Sequence, residues 1–184
     1  MNKNKDAIFQ FKITLKDIEP PIWRRVLAPS NYNFEQFHIL IQEAMMWANY
    51  HLHEFRIPIK GSKRFVKIGI PDDEYPDEDL LDATQEKIAD YFQKPNQKIL
   101  YIYDFGDGWE HEIKLEKILL KEKGEKYPKC IAGERACPPE DCGGTGGYED
   151  LLEILANPNH EEYRSMKTWA GDDFDPEYVE LLSK

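Results

Sequence analysis

Long apolar runs are missing from this chain. Nowhere do eighteen apolar residues follow one another, so no helix is expected to span a membrane. The opening stretch MNKNKDAIFQFK carries charge but no apolar segment followed by a small-residue cleavage site, which argues against a secretory signal. Cysteine is scarce and odd in number, three in all, which argues against a disulfide framework and for a reducing compartment. A cytoplasmic protein without membrane association is therefore expected. No internal repeat or long linker divides the 184 residues, a length that suits one domain.

What is present supports a packed core. A hydrophobic fraction of 41% with 12% aromatic residues argues against disorder despite 32% charged residues. The net charge of −11 is unevenly spread. Residues 1–70 hold eleven Lys/Arg against six Asp/Glu, a balance of +5, and residues 71–184 hold thirteen against twenty-nine, a balance of −16. Only the first third, through Arg24, Arg25, Arg56, Lys60, Lys63, Arg64 and Lys67, offers the clustered cations that nucleic-acid binding needs. A solvated sheet face accounts for them more simply.

Periodicity then marks the elements. Residues 8–15 alternate with Phe9, Phe11, Ile13 and Leu15 on one side, a half-buried strand, and residues 22–27 form a second strand antiparallel to it. Asn33 and Gln36 make a capping box before a helix over residues 34–49, with His38 beside its apolar stripe as a core or boundary residue. Residues 50–57 read as a strand that sends His51, His53, Phe55 and Ile57 to one side, and residues 65–70 as another. Residues 71–82 hold seven carboxylates and no base, an exposed loop. Asp82 with Gln85 caps a helix over residues 83–92. Residues 99–105 form a central strand joined by Gly106-Asp107-Gly108 to a strand over residues 109–119. In that second arm Trp109, His111, Ile113, Leu115 and Leu119 point inward. Helices are expected over residues 148–156, from an Asn159/Glu162 cap to about Trp169, and over residues 176–182. The plan is α+β: a mainly antiparallel twisted sheet packed against helices, with the Cys/Pro/Gly-rich segment 127–148 as an irregular clasp before a helical C-terminal part.

Two stretches could carry chemistry. If the first histidine strand packs beside the hairpin, His51, His53, Asp104 and His111 converge as catalytic candidates, suited to metal-assisted hydrolysis or to a His/Asp acid–base pair. The plainer reading is a buried Asp104 bond that fixes the hairpin. In the clasp, Cys130, Cys137 and Cys142 with His160 form a candidate structural zinc site, with His111 or Asp141 as alternative fourth ligands. The double Cys-x-x-Cys of a zinc ribbon is absent, and Pro138-Pro139 stiffens the loop in any case. A Cys thiolate beside Arg135 is a weaker candidate nucleophile. Residues 143–147, GGTGG, lack the Gly-Lys-Ser/Thr of a phosphate loop and follow no strand, so a flexible turn is expected. Asp172, Asp173, Asp175 and Glu177 miss the spacing of a calcium loop, and helix capping explains the last two.

The stretches FKITLKDIEPPIWRRVLAPSNYNFEQFHILIQEAMMW with HLHEF, then YIYDFGDGWEHEIKLEKIL, YPKCIAGERACPPEDCGGTGGYEDLLEIL and WAGDDFDPEYVE, cover most of residues 8–180. In them the chain resembles the root-inducing-plasmid third-open-reading-frame-like proteins, also found as passenger reading frames in insertion elements. The resemblance implies an α+β domain and brings no agreed catalytic residues. Some relatives carry a resolvase label. Here only Ser30, Ser62, Ser165 and Ser183 could serve as serine nucleophiles, and the C-terminus is acidic where a recombinase wants a basic DNA-binding tail. The expected function is therefore a binding or adaptor module, tied to mobile-element or defence functions and contacting a protein or small-molecule ligand. The alternatives are a metal-dependent hydrolase, with nucleic acid among its substrates, and a DNA-binding protein using the basic first third.

Overall fold

Alternation along β1 (Ala7–Leu15) puts Phe9, Phe11, Ile13 and Leu15 into the core, each at most 2% exposed. This strand sits inside an eight-stranded sheet in the computed structural model, which describes residues 7–71 and 76–181. The other strands are β2 (Trp23–Pro29), β3 (His53–Pro58), β4 (Phe65–Gly69), β5 (Leu80–Asp82), β6 (Lys98–Tyr103), β7 (Trp109–Leu120) and β8 (Lys129–Glu134). Their order is β5-β4-β3-β6-β7-β1-β2-β8, and every neighbouring pair is antiparallel except β4 with β5. Four helices complete the α+β fold: α1 (Phe34–Met45), α2 (Ile88–Tyr91), α3 (Gly144–Ala156) and α4 (Tyr163–Ala170).

The first helix covers the middle of the sheet through rings. Phe37 packs at 4.7 Å from Phe11 and 5.9 Å from Phe55, and Phe34 lies 4.9 Å from Phe55. Burying such a side chain is worth roughly 1.5–3 kcal/mol, so this aromatic layer fixes how α1 sits on the strands. The expected capping box is present: Asn33 Oδ1 accepts from the Gln36 N–H, and Gln36 Oε1 accepts from the Asn33 N–H. At the other end Arg24, 1% exposed, donates from Nε to the Ala44 carbonyl. A guanidinium there satisfies an orphan carbonyl and opposes the negative end of the helix dipole. Met46 then takes the left-handed conformation and the helix stops short of the expected residue 49.

Other departures from the sequence reading have local causes. The inward set on β7 changes parity, because Gln10 faces Lys117 whereas Phe11 faces Leu115, a bulge at Glu116. A one-residue slip exchanges the faces of a strand, so Ile118 packs against the core in place of Leu119. The helix expected over residues 83–92 is only α2, because Asp82 Oδ1 accepts from both N–H and Oγ1 of Thr84 and holds a turn. The acidic stretch 71–82 lies partly outside the described residues and ends as the edge strand β5.

The clasp departs most. Its residues 129–134 are β8, paired with β2, and the glycines expected as a flexible turn open α3. Glycine is required there: a Cβ on Gly147 would lie 1.9 Å from the Cys142 carbonyl, and one on Gly144 2.6 Å from that of Asp107. The expected helix 176–182 does not form among its described residues, because the clasp takes their polar groups. Arg135 Nε donates to Glu177 Oε1 at 2.9 Å, and the Ala136 N–H donates to the Pro176 carbonyl. The Asn159/Glu162 cap is likewise absent: His160 Nδ1 accepts the Glu162 N–H before α4. Among the described residues no helix is long and apolar enough to cross a membrane.

Candidate metal centre

Three distant segments meet at one end of β3 and β6. His51 lies in the bend before β3, not on it, so it parts from His53 although only two residues separate them. Asp104 ends β6 in the left-handed conformation. Its Oδ1 accepts the N–H groups of Gly106 and Asp107, which shapes the turn and leaves Oδ2 directed at His51. Asp141, also left-handed, comes from the clasp. One ligand atom from each of His51, Asp104 and Asp141 lies within 4.8 Å of the others. His51 Nε2 is 3.1 Å from Asp141 Oδ1, 3.6 Å from Asp104 Oδ2 and 3.8 Å from Glu140 Oε2. It is shielded from water yet makes no hydrogen bond among the described residues. Carboxylates gathered around one imidazole nitrogen form a donor set that could hold a divalent cation.

The surroundings hold these groups in place. Glu140 Oε1 accepts from the Ala48 N–H at 2.8 Å and from the Tyr103 hydroxyl at 3.0 Å. That hydroxyl also accepts the Tyr50 N–H. Burial and the Glu140 charge push the Tyr103 pKa up to about 12, so it stays a donor. The Gly143 N–H donates to Asp107 Oδ2, tying the clasp to the hairpin turn. Trp47 Nε1 donates to the Pro138 carbonyl and anchors the segment just before Glu140.

The model that matches residues 7–183 is the one described as Plasmid pRiA4b ORF-3-like protein. The chain belongs to that family. Among its relatives is an uncharacterized protein, y4hQ, of Sinorhizobium fredii, 38% identical over 171 residues that span 92% of this chain and 84% of that protein. A crystal structure of a protein of unknown function from Methanosarcina mazei Go1 superposes with a TM-score of 0.85 at 44% identity, covering 95% of each chain. For this pRiA4b ORF-3-like chain the function must therefore be argued from its own side chains.

The expected convergence of four catalytic candidates is half met, by His51 and Asp104. His53 enters the core, stacked on His38 with ring centroids 3.5 Å apart, and burial with the neighbouring imidazole lowers its pKa to about 3. His38 is held by the Tyr101 hydroxyl and Asn49, and burial lowers it to about 4. His111 is fully buried, 5.3 Å from both Trp47 and Tyr101, also at about 4 through burial. The expected zinc set is not assembled: among the described residues no ligand cluster joins Cys130, Cys137, Cys142 and His160. All three cysteines are thiols. Cys137 accepts from Arg24 Nη2 at 3.5 Å and lies 3.1 Å from Met45 Sδ, and burial raises its pKa to about 11. Cys142 is raised to about 12 by burial and the Asp107 charge, so it stays a protonated thiol rather than a ready nucleophile. The clasp keeps its shape through side-chain and backbone bonds, and it delivers the two carboxylates, Glu140 and Asp141, that the catalytic set drawn from the sequence omitted. Pro138-Pro139 immediately before them was the available signal, since it fixes the approach of whatever follows.

Proposed function

We propose that the protein is a divalent-cation-dependent hydrolase whose metal is held by His51, Asp104 and Asp141. One observation carries this reading: His51 Nε2 is shielded from water, surrounded by carboxylate oxygens from two other segments, and makes no hydrogen bond among the described residues. One imidazole with carboxylates suits Mn²⁺ or Zn²⁺ better than the oxygen-only sites of Ca²⁺. Three protein ligands with an open side are the pattern of catalytic rather than structural metal, and the Asp141 side chain is 67% exposed. The cation would bind water and lower its pKa. Glu140, with Oε1 fixed and Oε2 turned toward His51, is placed to accept the water proton. Water activated there would supply the nucleophile for hydrolysis of an acyl bond, with Glu140 passing the proton it accepts to the leaving group, so that water would be consumed and acid and amine or alcohol released. Isothermal titration of metal-stripped protein with Mn²⁺ and Zn²⁺ tests the centre. One equivalent bound by the native chain and none by His51→Ala supports it; identical titrations by both defeat it.

A binding-module reading has its own support in exposed apolar side chains around the same end. Met46, Tyr50, Leu52 and Phe105 are 58%, 76%, 57% and 55% exposed, and two of them flank His51. They would line a docking rim for a ligand or protein rather than compete with the metal. The DNA-binding reading gains less. Arg24 is turned inward, and Arg25, Arg56 and Lys67 pair with Glu116, Glu54 and Asp77.

A further inference from the structure

A cleft of about 270 Å³ opens beside the candidate metal centre and shares Asp141 with it. Its walls come from the clasp, α3 and α4, with Leu151, Ile154, Met166 and Trp169 as the apolar surface and Asp141 and Asp150 as its charges. No basic residue is among those that line it. Trp169 is 48% exposed and lines this cleft. We infer that this cleft recognises an ammonium group carried on an apolar chain, and that the substrate of the neighbouring centre bears such a group.

The charges decide the class. Asp104, Asp141 and Glu140 around a divalent cation leave a net charge of −1, to which Asp107 and Asp150 add. A polyanion such as nucleic acid would approach against that field, whereas a cation is drawn to it. Inside the cleft, the aliphatic or aryl body of the ligand would cover Leu151 and Ile154. The ammonium would meet the carboxylates of Asp141 and Asp150 and the indole of Trp169, whose ring attracts a cation. An amine-bearing amide or ester thus fits both the cleft and the proposed hydrolysis. The inference takes the centre's reading for the substrate's role, but ammonium binding itself does not require the metal.

The test is a calorimetric titration of the full metal-stripped chain with phenethylamine, with 3-phenylpropionate, and with an acetyl-capped lysine amide. Phenethylamine should bind and 3-phenylpropionate should not. Binding should weaken about tenfold in Trp169→Ala, and comparably in Asp150→Asn, a surface change that leaves the fold intact. The lysine amide binding more tightly than phenethylamine marks a peptide as the source of the ammonium; the reverse order marks a free amine. Manganese added to the same sample should weaken phenethylamine, since both cations share Asp141, and by linkage the amine should weaken manganese equally. Equal affinity for the amine and the carboxylate, no binding of either amine, or an Asp150→Asn variant that binds like the native chain would overturn the inference. Failure of manganese to bind while phenethylamine does would overturn the metal reading alone.

Discussion

His51 and His53 are two residues apart and live in opposite surroundings. His53, with His38 and His111, is sealed beneath or beside α1 among rings, neutral because a charge there would be stripped of water. His51 has one nitrogen pressed among the carboxylates of Asp104, Glu140 and Asp141. The lesson is that a His-x-His pair is read by what lies across from each ring. The bend before β3 turns one imidazole toward the clasp, and the first residue of the strand turns the other toward the helix.

The largest expected effect on this contrast comes from acid. The three buried histidines have folded pKa values of about 3 to 4 against 6.5 when free, so between those limits the unfolded chain binds more protons. Their contribution is complete above pH 6.5 and is lost as pH falls toward 4, at about 1.4 kcal/mol per unit for each group. Urea unfolding at pH 7 and pH 4.5 should differ by about 3–6 kcal/mol, allowing for the coupling of the stacked pair. His53→Phe should flatten that slope.

Metal affinity should reverse the ranking. Asp104→Asn or His51→Ala should cost about a hundredfold or more in manganese affinity, with a change in stability below about 0.5 kcal/mol for His51→Ala. Next comes the junction of clasp and hairpin. Gly144→Ala forces a Cβ against the Asp107 carbonyl in a left-handed residue and should destabilise by about 1–3 kcal/mol, read in the urea midpoint. Glu140→Gln should leave manganese affinity within about tenfold, since its neutral amide can still face His51. Cys137→Ser and His160→Ala should leave manganese affinity unchanged, and a loss in either would restore the clasp as a metal site.

The chain itself announces much of the fold. Strict alternation in β1, the Asn33/Gln36 box and the Gly-Asp-Gly turn between β6 and β7 are local signals whose physics lies within a few residues. β8 escaped because Gly133 interrupts its pattern and its pairing partner, β2, lies a hundred residues earlier. The start of α3 escaped because close backbone approach, not flexibility, is why glycines stand there. The last expected helix was defeated by Arg135 and Ala136, which bind its segment from outside. In the candidate centre, His51 and Asp104 stood out as polar groups in apolar stretches. Asp141 stood out only as an alternative ligand for the cysteine set, because nothing local reveals that the clasp returns across the hairpin.

The proposed ligand positions 51, 104 and 141 also set an order of events. A chain emerging from the ribosome has already presented β1 to β8 in full before Asp141 appears. Closing loops of that length before the strands pair would cost entropy that three side chains could not recover. The centre therefore cannot nucleate the sheet. It is a seal on a finished one, and whatever occupies it should slow unfolding while leaving the folding rate as it was.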